Sequence, residues 1–204
     1  MAELKPRITS LGHAVADRLV MTMDECMTYF GYTSPSMRQL ARNTQIKLKR
    51  WYCDPIGKSV QELAGEYEAG ALELSCQAVQ KCLDGGDLAD VGTLIYVSCT
   101  QALPECPAMA FRVAGELGMA GRTRLVDICG DGCQGAMPGL ESAYAHLVAF
   151  KEPVLVVATE ICSATYFPAP QDDLANSISN LLFNDGSSAM VLADSPDPQY
   201  PAVL

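Results

Sequence analysis

Two short runs of unbroken apolar character limit what this chain can fold into: Thr93 to Cys99 (T-L-I-Y-V-S-C) and Pro153 to Thr159 (P-V-L-V-V-A-T). A strand with one face in water alternates apolar and polar side chains. A run without that alternation needs cover on both faces. Segments of helical spacing supply the cover. Val60, Leu63, Ala64, Tyr67, Ala71, Leu74, Ala78 and Cys82 recur along one helix face, so Ser59 to Leu83 reads as a long helix. Ser59 with Glu62 three residues on has the pattern of a capping box, and Gly85-Gly86 stops the helix. The expected fold class is α/β: a mixed, mostly parallel sheet flanked by helices, layered α-β-α.

The remaining segments fit that frame. Ile8 to Ala14, Arg124 to Ile128 and Ser187 to Ala193 read as strands. Thr22 to Phe30, Ser36 to Asn43, Pro107 to Leu117 and Leu174 to Leu182 read as helices. Gly135 to Phe150 reads as a helix of mixed pattern, with Pro138 tolerable only in its first turn. Residues 1–194 are expected to form one unit. Residues 195–204 read as a proline-rich connector that leads into an apolar, strand-like Ala202-Val203-Leu204, as if toward a missing half.

Composition narrows the function classes. Net charge is −10, and no basic tract exceeds the short Lys47, Lys49, Arg50 cluster. Phosphate neutralisation needs a basic surface, so nucleic acid is not an expected partner. No apolar run approaches the ~20 residues that span a bilayer, and no signal core follows the N-terminus. A cytoplasmic location without membrane contact is expected. The nine cysteines are scattered, which suits buried free thiols, or a reactive one, better than a disulfide scaffold.

The stretch Leu125-Val126-Asp127-Ile128-Cys129-Gly130-Asp131-Gly132-Cys133-Gln134-Gly135-Ala136 carries the chemistry. A strand enters a glycine-rich turn, a cysteine sits in the turn, and a helix begins directly after it. Glycine permits the sharp bend and close backbone approach. A thiol at a helix N-terminus lies at the positive end of the peptide dipoles, which favours its thiolate. Backbone N–H groups at such a turn, around Gly132 and Gly135, suit a developing oxyanion. The pattern fits a covalent thioester intermediate on Cys133. A small cysteine packed at a tight junction is the plainer alternative. Cys129 and Cys133 form a C-x3-C pair with no second pair nearby, so no metal is expected.

Four ordered segments resemble the thiolase superfamily, in its ketoacyl synthase III and chalcone-synthase-like (type III polyketide synthase) branches. They are Ile95-Tyr96-Val97-Ser98-Cys99-Thr100, the approach from Gly118 to Cys133, Pro153 to Glu160, and Leu182-Phe183-Asn184-Asp185-Gly186-Ser187-Ser188-Ala189, where Asn184 replaces the usual Gly. Lys49-Arg50-Trp51-Tyr52 is similar to the family's early "I-K-R-R-Y" segment. The resemblance implies the N-terminal half of a thiolase-like fold. It implies that Cys133, not Cys129, takes an acyl group from a coenzyme A or acyl carrier protein thioester, with no other cofactor, and that a new carbon–carbon bond follows. Thr100 and Gln101 would line the acyl pocket, with Tyr166 and Phe167 beside it. Glu160 would orient backbone groups. Arg38, Arg42 and Lys49 would either meet a coenzyme A phosphate or form a solvated face.

The family pairs its cysteine with a His and an Asn from a second, similar half. This chain has only His13 and His146. His146 lies thirteen residues beyond Cys133, ~20 Å along a helix axis. Both histidines read as incidental. A second chain supplying the His/Asn half is therefore the expected partner, with further dimerisation of the assembly. An acyltransferase making an ester or amide through the same cysteine, and a non-catalytic partner of a ketosynthase, are the alternatives.

Overall fold

The structure is a computed structural model and describes residues 4–84, 86–100, 107–119, 121–166 and 173–203. Its main sheet has five strands: β1 (Pro6–Val15), β4 (Thr93–Ser98), β5 (Arg124–Cys129), β6 (Val154–Glu160) and β7 (Gly186–Asp194). Their order across the sheet is β1-β7-β6-β4-β5. β4 pairs parallel with β5 and β6, while β7 runs antiparallel to both of its neighbours. Four strands thus share one direction and β7 opposes them: the sheet is mixed, as expected, but its pairings divide evenly into two parallel and two antiparallel rather than mostly parallel.

The unbroken apolar runs are explained by cover on both faces. Every residue of β4 is buried. Leu94 and Tyr96 of β4, with Leu155 and Val157 of β6, pack under α3 (Val60–Leu83) and α4 (Met109–Glu116). Ile95 and Val97, with Val154 and Val156, face the other way onto α5 (Ala136–Phe150). The period-two alternation of a strand sorts the run between two helix layers.

Helix α3 carries its buried residues at Tyr67, Gly70, Ala71, Leu74, Ser75, Ala78, Val79 and Cys82. This spacing of three and four is one continuous face. Ser59 and Glu62 form the expected capping box, and Asp84 ends the helix in the left-handed conformation. Small residues let α3 approach β1 closely. A Cβ on Gly12 would stand 2.3 Å from the carbonyl oxygen of Ala78 and from the nitrogen of Cys82.

A second layer of structure sits beside the sheet. β2 (Leu19–Thr22) and β3 (Leu48–Trp51) form an antiparallel pair that encloses α1 (Met23–Tyr29) and α2 (Pro35–Asn43). With α6 (Leu174–Leu182) they bury an aromatic and thioether cluster around Met27, Tyr32, Met37 and Trp51. Residues 195–203, expected as a connector, turn back along β1. Ile8 N–H donates to the Pro201 carbonyl at 3.1 Å and Val203 N–H to the Pro6 carbonyl at 3.0 Å.

Candidate active site

The parallel strands end together, and a cavity of about 720 Å³ opens at their C-terminal ends. Ligands of open α/β sheets gather at this end, where loops diverge and the next helix starts. Cys133 stands on the cavity with Gly132 and Gly135. The turn that presents it is built from glycine. Gly130 and Gly132 hold φ of 89° and 58°, a region costly to other residues. Gly135 is buried, and a Cβ there would lie 3.1 Å from Val97 Cγ1. On Gly139 it would lie 2.9 Å from Val97 Cγ2. The two glycines let the first turns of α5 settle onto β4, which brings Cys133 toward Cys99 at the end of that strand. Gly135 N–H is bonded to the Gly132 carbonyl at 3.1 Å, so Gly135 serves close approach. No side chain caps α5, and Cys133 is exposed.

Glu160 organises the cavity floor. Its carboxylate accepts Cys99 N–H at 2.8 Å and Thr100 N–H at 3.0 Å. The Thr100 hydroxyl in turn accepts Ile161 N–H at 3.0 Å. The ends of β4 and β6 are thereby tied reciprocally. Cys99 and Cys162 also line the cavity. Burial, then Glu160 and Cys133, push the Cys99 thiol up to about 11. Burial, then Asp185 and Glu160, raise the Cys162 thiol further. Both stay protonated at neutral pH.

Thr100 and Tyr166 meet Cys133 on this cavity. Tyr166 stacks on Phe30 with centroids 5.3 Å apart. Gln101 and Phe167 lie outside the described residues. His13 lines the cavity from β1, three strands across from β4. His146 is at the other end of the sheet, its Nδ1 3.3 Å from Thr93 Oγ1. Cys129 is exposed at the end of β5 and is not among the lining residues. Among the described residues no group of three His, Cys, Asp or Glu side chains is arranged to hold a metal ion.

Sequence reasoning passed over Cys99, Cys162 and Phe183, all on the cavity wall. Phe183 could have been found, since it stands in the L-F-x-D-G segment. Lys49, expected to meet a coenzyme A phosphate or to form a solvated face, is instead fully buried. Arg38 and Arg42 do reach a surface, lining a second cavity of about 710 Å³ with Lys47, between α1 and α2.

The sequence profile of the chalcone and stilbene synthases, N-terminal domain, matches residues 58–196. The chain belongs to the chalcone and stilbene synthase family. It is similar to 3,5-dihydroxyphenylacetyl-CoA synthase of Streptomyces toyocaensis, 27% identical over 208 residues, covering 97% of this chain and 52% of the relative. It is also similar to type III polyketide synthase 10 of Oryza sativa subsp. japonica, 28% identical over 216 residues, covering 95% and 53%. The crystal structure of 1,3,6,8-tetrahydroxynaphthalene synthase from Streptomyces coelicolor A3(2) shares the fold, with a TM-score of 0.81 at 24% identity over 91% of this chain and 56% of that one. The chain spans about half the length of the curated relatives it matches. This family member is therefore similar to the N-terminal part of a type III polyketide synthase. No helix among its described residues is long and apolar enough to cross a membrane.

Proposed function

We propose that this chain is the nucleophile-bearing half of a type III polyketide synthase-like condensing enzyme, acylated on Cys133. The observation that carries the reading is Cys133, exposed in a glycine turn before an uncapped helix and facing a cavity at the sheet's C-terminal end. The Cys133 thiolate attacks the carbonyl of an acyl thioester. The tetrahedral oxyanion is met by N–H groups of the Gly132–Cys133 turn. Its collapse expels the thiolate of the donor and leaves the acyl group on Cys133. A carbanion, formed by decarboxylation of a malonyl-type extender, then attacks this acyl carbonyl. The new carbon–carbon bond forms as the Cys133 thiolate leaves.

Coenzyme A is the favoured donor. One relative is itself named for a coenzyme A thioester. Arg38, Arg42 and Lys47 around the second cavity suit its phosphates. Thr100 and Tyr166, on the same cavity as Cys133, border the acyl group. The base that deprotonates Cys133, a His, and an Asn that helps hold the oxyanion come from a second chain or half. Met137, Tyr144 and Val148, exposed along α5, support a partner on that face. β5 ends the sheet order, and its edge, unpaired among the described residues, suits further dimerisation of the assembly. The eight described cysteines are all free, which accords with a cytoplasmic enzyme.

The test is intact mass after incubation with acyl-CoA thioesters, with and without candidate second halves. A mass increase of one acyl group, lost in Cys133→Ala, is expected. The same increase in that variant would overturn the assignment.

A further inference from the structure

Lys49 on β3 is 0% exposed, and its ammonium donates to the carbonyl of Phe183. Trp51 Nε1–H reaches the same carbonyl at 3.3 Å. The neighbouring residues are held in the same way. Arg50 N–H donates to Asn184 Oδ1 at 2.8 Å, Asp185 N–H to the Arg50 carbonyl at 2.9 Å, and Tyr52 N–H to Asp185 Oδ2 at 2.6 Å. Strand β3 thus clamps Phe183–Asp185, and Phe183 forms part of the wall of the Cys133 cavity. A buried ammonium is costly, and an apolar residue would pack there with less penalty.

We propose that Lys49 is a positioning residue for the Cys133 cavity: its ammonium holds Phe183 in the wall, so the pocket's shape depends on whether that ammonium carries its proton. The proposal rests on the acylation reading above. The groups around Lys49 are Cys26 from α1, Cys162 from the turn after β6, and Asp185 before β7. Asp185 is engaged by Ser163 and Tyr52, and burial raises the Cys26 thiol to about 11. Burial pulls Lys49 down to about 8, against the opposing pull of Cys26, Cys162 and Asp185. Loss of the proton removes the charge assistance that makes such a bond about twice as strong as a neutral one. It also leaves Asp185 without its cation. The clamp is tight below this pH and loose above it.

Trp51 is the single tryptophan, and Lys49 Nζ lies 5.2 Å from its ring centroid. Its emission therefore reports on Lys49 directly. The experiment follows Trp51 fluorescence from about pH 6.5 to 9.5 in the wild type, Lys49→Met and Lys49→Arg. In parallel, acylation of Cys133 by a long and a short acyl-CoA is measured by mass. In the wild type the emission changes with a midpoint near about 8, and the long-to-short ratio shifts at the same pH. The shift expected is about tenfold, the discrimination one methylene carries at a formed apolar wall. Lys49→Met has no emission transition and shows the high-pH ratio throughout. Lys49→Arg keeps the low-pH ratio to the top of the range. A folded Lys49→Met with the wild-type transition or ratio overturns the proposal. Should Lys49→Met not fold, a wild-type ratio that stays flat through the emission midpoint, or emission with no transition, overturns it equally. Acylation of Cys133 by no thioester, even with a candidate second half present, would defeat the functional reading, while the Trp51 titration would still decide on the clamp.

Discussion

Replacement of Glu160 separates the floor of the cavity from the rest of the fold. β4 and β6 pair in parallel as far as Val97 and Ala158. Beyond that point the Glu160 carboxylate accepts Cys99 N–H at 2.8 Å and Thr100 N–H at 3.0 Å. A hydrogen bond to a charged acceptor contributes about 1.5–3 kcal/mol net, and water can partly replace it at an exposed turn. The lower figure applies here, because Cys99 is exposed. Glu160→Gln keeps one acceptor oxygen and loses one such bond, about 1.5 kcal/mol. Glu160→Ala loses both, about 3 kcal/mol. In a chain of this size the melting temperature should fall by about 3–6 °C and about 6–12 °C respectively. A second readout isolates the charge. After burial, Glu160 is the next cause that raises the Cys99 thiol to about 11. Glu160→Gln should lower that value and speed labelling of Cys99 by iodoacetamide at about pH 8, tenfold for each unit gained. Peptide mass mapping distinguishes Cys99 from the other thiols. Equal melting of both variants and the wild type, or unchanged Cys99 labelling, would refute this role for Glu160.

Three further outcomes are expected. Gly12→Ala places a Cβ 2.3 Å from backbone atoms of Ala78 and Cys82, which cannot rotate away, so α3 must shift off β1. A loss of about 3 kcal/mol in urea unfolding should result. Asn184→Gly removes the 2.8 Å acceptor of Arg50 N–H and should cost about 1 kcal/mol, with wild-type stability counting against the clamp as drawn. The capping-box carboxylates of Glu25 and Glu62 are held below the usual range, Glu25 by backbone and side-chain bonds to Thr22 and Glu62 by side-chain and backbone bonds to Ser59. A depressed carboxylate stabilises the fold above its unfolded value, and that contribution is lost as pH falls through the lowered folded value. Far-UV circular dichroism during acid titration should show α1 and α3 weakening there, and Thr22→Ala with Ser59→Ala should flatten that part of the curve.

What was legible in the sequence follows from the range of the interaction that specifies it. α3 and the strands β4 and β6 were plain because periodicity is local and burial on both faces leaves no alternation. The glycine turn at Cys133 was equally plain, since a positive φ demands its residue type where it occurs. β2 and β3 were not seen. Each has four residues, too few for a pattern to stand out, and their partnership spans the whole of α1 and α2. Lys49 was misplaced because K-L-K-R reads as a surface run. Its burial depends on the Phe183 carbonyl, 134 residues away in sequence. Cys99 and Cys162 carry no local mark. They become cavity residues only because β4 and β6 lie side by side and end level with one another.

The mixed pattern of α5 is a different case, in which an ambiguous sequence signal had a definite cause. Its buried residues Gly139, Ala143 and Leu147 face β4 and β6. Met137, Tyr144 and Val148, on the other side, are exposed. A helix with apolar residues all round belongs between two layers, and an amphipathic one belongs at a surface. α5 has the composition of the first and, in this chain, the position of the second. The helix that follows the Cys133 turn is therefore also the one that leaves an apolar outer face exposed. If a second half completes the Cys133 site as proposed, covering that face is a requirement on the same partner. A charged substitution at Val148, far along the helix from Cys133, should accordingly weaken assembly and acylation together while leaving the fold of this chain intact.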